Sequence, residues 1–86
     1  MSRFEIFYHP DIKKDLSKIS TPDKHRIQKA IETKLTIAPE EFGEPLRRTL
    51  KGYWKLRVGD WRVIFQTQHK TVTILRIGHR REVYDR

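Results

Sequence analysis

Residues 53–66 read YWKLRVGDWRVIFQ, and the fold follows from how this stretch folds back on itself. Trp54, Leu56 and Val58 alternate with polar residues, and so do Trp61, Val63 and Phe65. That period of two marks half-buried strands. Between the runs lies Gly59-Asp60, a two-residue link of the kind that makes tight primed turns. A turn of that length sets the register. Val58 then faces Trp61, Arg57 faces Arg62, Leu56 faces Val63 and Lys55 faces Ile64. The six apolar residues share one face, which is the candidate core. Lys55, Arg57 and Arg62 share the other with Tyr53 and Ile64. Arg57 opposite Arg62 is a like-charge pair, which destabilises a sheet. Three cations on one open face therefore predict an anion above it.

Outward from this hairpin, residues 71–78 are rich in β-branched side chains and predict a further strand, with His69-Lys70 as its turn. Gly78 interrupts the alternation and predicts a bulge or bend. His79, Arg80 and Arg81 follow at the strand exit, and Tyr84 three residues later. Arginine suits bidentate phosphate contacts, and an aromatic ring suits stacking on the bases of single-stranded RNA. A short strand is also expected near 46–50. Residues 39–45, PEEFGEP, read as a loop dividing a helical first half from a strand-rich second half.

In the first half, residues 3–9 alternate loosely and predict a first strand. Ile12, Leu16 and Ile19 recur at helical spacing behind Pro10. A second helix is expected over 22–37, with Thr21 as N-cap and Ile27, Ala30, Ile31, Lys34, Leu35 and Ala38 along its inner side. The two form a helical hairpin, and the fold class is α+β: an N-terminal helical hairpin packed on a small antiparallel β-sheet. At 86 residues the chain is expected to be one domain, residues 1–86.

The formal net charge is +8. Residues 1–43 hold 8 Lys/Arg against 7 Asp/Glu, whereas residues 44–86 hold 11 against 4. That asymmetry points to a polyanionic partner. There is no cysteine, so disulfides and thiolate metal sites are excluded. No Asp/Glu cluster or histidine pair has metal-ligand spacing, and no cofactor is expected. The opening residues lack the apolar run of a signal peptide or membrane span, so no membrane partner is expected. RNA can be cut without metal when its 2′-hydroxyl attacks the adjacent phosphate. A protein then accepts one proton, donates another and stabilises charge on the transition state. Arg62 and Arg80 are candidates for charge stabilisation, and His79 for acid or base. Lys55 could act as a base only in its neutral form, which cationic neighbours favour.

The strings LKGYWKLRVGDWRVIF and LRIGHRREVY, within residues 50–84, resemble the RelE/ParE toxin superfamily of bacterial and archaeal toxin–antitoxin systems. The preceding helices fit that family's layout, so the resemblance covers essentially the whole chain. It implies a RelE-like microbial ribonuclease-type fold and a cytoplasmic toxin, held by a RelB-like antitoxin through an acidic or amphipathic segment. DNA would be met only indirectly, through the antitoxin. The RelE-like branch implies metal-independent cleavage of mRNA in the ribosomal A site, blocking translation. The ParE-like branch implies inhibition of DNA gyrase, and an inactive relative would serve only as antitoxin partner. Carried over by position, Lys55 is the general base, Arg62 stabilises the transition state, and Arg80 stabilises charge or donates a proton. Tyr84 stacks on the substrate, and Arg57, Arg81 and Tyr53 contact RNA. The family pattern has a second lysine where Tyr53 stands, and two more residues between Gly78 and Tyr84. Some relatives use a histidine near the last strand, so either Lys55 or His79 is the base.

Overall fold

The computed structural model describes residues 3–46 and 52–83. In chain order these form β1 (Glu5–Tyr8), α1 (Ile12–Leu16), α2 (Thr21–Ala30), a π-helical turn (Ile31–Leu35), α3 (Pro39–Phe42), β2 (Glu44–Pro45), β3 (Tyr53–Val58), β4 (Trp61–Gln68) and β5 (Thr71–His79). The strands make one sheet in the order β1-β5-β4-β3-β2.

The β3–β4 hairpin has the expected register, including Arg57 opposite Arg62 and Lys55 opposite Ile64. Gly59 lies at φ 59°, where glycine alone meets no Cβ penalty, at the first central position of the turn. The sheet as a whole is mixed, which corrects the expectation of an antiparallel one. β1 pairs with β5 in parallel, Glu5 with Thr71 through Tyr8 with Ile74. No turn joins β1 to its neighbour, so nothing local in the sequence sets their relative direction. The helices follow β1 rather than opening the chain.

The helices bury one side each. Ile12, Ile19, Ile27, Ile31 and Leu35 meet Leu56, Val63, Phe65, Val72, Ile74 and Ile77 of the sheet in one core. The cap of α2 is Ser20, not Thr21. The Asp23 amide donates to the Ser20 hydroxyl at 3.4 Å, the reach an N-cap requires. The helix expected to run to residue 37 leaves α geometry at Ile31. Thr33 Oγ1 donates to the Lys29 carbonyl at 2.7 Å and Thr36 Oγ1 to that of Glu32 at 2.6 Å. Such back-bonding distorts a helix, yet Ile31 and Leu35 stay buried. The expected loop at 39–45 contains α3 and β2. Gly43 joins them under Phe65, whose Cζ would lie 2.6 Å from a Cβ on that glycine. Of the strand expected at 46–50, residues 47–50 lie outside the described residues.

The irregularity expected at Gly78 falls three residues earlier. Ile64 faces Arg76 while Phe65 faces Ile74, so Leu75 is the extra residue of a bulge. One extra residue reverses the facing of everything beyond it. Val72 and Ile74 point to the core, then Ile77 and His79, and Gly78 turns to the opposite side.

Past Ile74, β5 has no β1 neighbour, and its edge amides need other acceptors. The Ile77 amide donates to Asp15 Oδ2 at 2.9 Å, tying α1 to the sheet. Asp15→Ala leaves that amide without its acceptor and should cost about 1–3 kcal/mol, read as a lower urea midpoint. An unchanged midpoint would show that water replaces the carboxylate.

Candidate functional site

The sheet face away from the helices carries Tyr53, Lys55, Arg57, Arg62 and Ile64, as the hairpin register requires. The cations on it are not an open trio. Lys55 is 5% exposed and Arg62 6%, while Arg57 is exposed. Buried cations require opposite charge or hydrogen-bond acceptors. Arg62 Nη1 donates to the carbonyls of Gly59 and Trp61, each at 3.0 Å. The guanidinium is therefore held against the hairpin turn.

Among the described residues Glu44 supplies counter-charge, which sequence reasoning missed. β2 places Glu44 opposite Lys55, so both side chains stand on the same face. Its Oε1 is 3.9 Å from Lys55 Nζ and its Oε2 is 3.5 Å from Arg57 Nε. Within the like-charge pair, one arginine meets the turn carbonyls and the other a carboxylate. Among the described residues the register also puts Arg76, opposite Ile64, on this face.

Arg80 reaches the same end of the sheet. Its amide donates to the Asp60 carbonyl at 2.8 Å, and its Nε is 3.6 Å from Asp60 Oδ1. Arg81 is exposed in the turn after β5. Val83 closes that turn over Gly78, where an added Cβ would meet Val83 Cγ2 at 2.7 Å. Gly78 is in turn the partner of Arg62. The chain thus returns to the cationic face beside Arg62. Tyr84, the next residue, lies outside the described residues.

His79 is not brought to this face. It pairs with Trp61 across the ladder and meets that ring edge-on, with centroids 5.5 Å apart and planes at 78°. It stands with the core-facing residues, beside a small recess lined by Asp15, Lys18, Arg76 and Glu82. The Leu75 bulge explains this, because without it His79 would share a face with Lys55.

A second concave feature lies on the helical side. A groove of about 430 Å³ runs between α1, α2 and the end of β1, floored by Ile12, Leu16, Ile27 and Ile31 and edged by Lys13 and Lys24. Tyr8 stands at its wall, where burial, then the Glu32 carboxylate, holds the phenol above its usual range. Among the described residues, no helix is long and apolar enough to cross a membrane. Among them too, no group of three or more His, Cys, Asp and Glu side chains could hold a metal ion.

The chain is similar to known toxins. The family described as ParE toxin of type II toxin-antitoxin system, parDE, matches residues 6–84. Toxin RelG of Mycobacterium tuberculosis is 41% identical over 54 residues, 60% of this chain and 62% of that protein. The match therefore spans less than two thirds of that relative's length. The RelBE2 toxin–antitoxin complex from Mycobacterium tuberculosis superposes with a TM-score of 0.83 at 29% identity, over 93% of this chain and 94% of the other. The RelB–RelE antitoxin–toxin complex from Methanococcus jannaschii gives 0.72 at 18% identity, over 92% and 95%. At that identity the likeness bears on the fold alone.

Proposed function

This chain belongs to the ParE toxin family of type II toxin–antitoxin systems, and from that premise we propose that it is a metal-independent endoribonuclease that cuts mRNA on the ribosome. The observation that carries this reading is the face described above: the Glu44 carboxylate beside Lys55 and Arg57, with Arg62 on the same side of the sheet. A surface meant only to bind a polyanion gains nothing from a carboxylate at its centre. A site for 2′-hydroxyl attack does, because it needs a proton acceptor among cations.

In the proposed reaction the substrate 2′-hydroxyl gives its proton to Glu44 and bonds to the adjacent phosphorus. The bond from phosphorus to the 5′ oxygen breaks, and that oxygen takes up a proton. Charge gathers on the non-bridging oxygens, and the Arg62 and Arg57 guanidiniums, with the Lys55 ammonium, stabilise it. The resemblance would make Lys55 the base. Here its amine has a carboxylate for a neighbour, so Glu44 takes that role and Lys55 serves as a cation. Arg80 supplies further charge or the proton for the leaving oxygen. Arg81 and Tyr53 contact the RNA backbone, and Tyr84 stacks on the substrate.

Glu44→Gln keeps the shape of the side chain and removes its basicity. It should lower single-turnover cleavage by about a hundredfold, the typical contribution of a positioned acid or base, with RNA binding maintained or tighter. Unchanged cleavage in that variant would return the role to Lys55.

The partner is an antitoxin, and the groove along α1 and α2 is its proposed seat. An amphipathic segment would lay its apolar side on Ile12, Leu16, Ile27 and Ile31 and offer carboxylates to Lys13 and Lys24.

A further inference from the structure

Three successive backbone amides after β5 converge on one residue. The Arg81 amide donates to His79 Nδ1 at 3.2 Å. The amides of Glu82 and Val83 donate to the His79 carbonyl at 2.7 and 3.1 Å. The ring that accepts the first of these is held in turn by Trp61. Trp61 Nε1 donates to Asp23 Oδ2 at 3.1 Å, near the start of α2. A line of contacts therefore runs from α2 through Trp61 and His79 into the turn, and ends where Val83 lies over Gly78 beside Arg62.

We infer that His79 is a positioning residue, which rests on the ribonuclease reading for its effect on cleavage. Its Nδ1 lone pair holds the turn that carries Arg80 and Arg81 and returns the chain to the cationic face. The geometry requires a neutral ring with its proton on Nε2, since Nδ1 accepts. The same local device occurs at the start of α1. There the Asp11 amide donates to His9 Nδ1 at 3.1 Å and the Ile12 amide to the His9 carbonyl at 2.9 Å. In both places histidine accepts from the amide two residues on, as Asn and Asp side chains do in turns. His79 thus acts through Arg80 and Arg81 and does not reach the reacting atoms, because it stands on the opposite side of the sheet from Lys55. Around the ring, the charged groups among the described residues are Asp15 from α1, Lys18 from the turn after it, Arg76 from β5 and Glu82 from the turn itself.

Two isosteric changes separate the two ring nitrogens. His79→Asn places an acceptor where Nδ1 stands, and His79→Gln places its polar end where Nε2 stands. Each variant, with His79→Ala, is made in the full chain and read in two ways: amide hydrogen exchange at Arg81, and single-turnover RNA cleavage. The inference predicts that His79→Asn keeps wild-type exchange and cleavage to within about twofold. His79→Gln and His79→Ala should speed exchange at Arg81 by about tenfold, the equivalent of one lost hydrogen bond, and slow cleavage alongside. An active His79→Gln beside an impaired His79→Asn would overturn it, because the essential group would then be Nε2. Exchange at Arg81 indifferent to all three changes would overturn it as well. If the wild-type chain cuts no RNA, the ribonuclease reading fails, and exchange alone still decides the role of His79.

Discussion

Arg62→Ala is expected to slow RNA cleavage by about a hundredfold or more, the cost of removing one preorganised charge donor from a reacting phosphate. Arg62 is a candidate for that loss because it is firmly held. It is 6% exposed, and its Nη1 donates to both the Gly59 and Trp61 carbonyls. A guanidinium held in this way needs no reordering as charge develops. Arg62→Lys keeps the charge but loses the planar fork that bonds two acceptors at once, so it should recover only part of the rate. The alanine variant also strips a donor from two turn carbonyls, so its fold needs a thermal melt beside each rate. A folded Arg62→Ala protein with full activity would remove this residue from the mechanism.

Phe65→Ala should cost about 3–5 kcal/mol of stability, the range for deleting a buried aromatic ring. For a chain of this length, whose whole stability is on the order of 5–10 kcal/mol, that is enough to leave a large unfolded fraction. Phe65 is 0% exposed and its ring lies against Gly43, so close that a Cβ there would stand 2.6 Å from Cζ. The cavity left behind is bordered by glycine backbone, which has no side chain to move in. It also adjoins the Leu75 bulge, where the ladder is already out of step. Gly43 leads directly into Glu44, so loosening this contact should disturb the proposed proton acceptor as well. Urea denaturation gives the loss directly. A loss under about 1 kcal/mol would mean that the site collapses to fill the space.

Much of the site could be read from residues 53–66. A two-residue turn leaves one register, and that register puts Lys55, Arg57 and Arg62 together away from the core. What the sequence did not reveal depended on pairings that no local turn encodes. β1 lies beside β5 without a turn between them, so the parallel pairing was missed. Glu44 reaches the site because β2 pairs with β3, and a two-residue strand inside PEEFGEP carries no alternation to betray it. In the sequence His79 adjoins Arg80 and Arg81 at the strand exit, which groups it with the cations. Leu75 adds one residue before that point, and the facing of His79 reverses. Its type gave no warning, since a leucine fits a regular strand as well as a bulge. Burial is not legible either: three cations on one face suggest an open patch, whereas Lys55 and Arg62 sit nearly covered.

The most direct test of the central claim is to add the protein to a cell-free translation reaction on a defined mRNA and map the 5′ ends of the fragments. The account predicts cuts inside codons, absent when ribosomes are omitted and strongly reduced with Arg62→Ala and Glu44→Gln. Intact mRNA, in a preparation that blocks supercoiling by DNA gyrase, would contradict it.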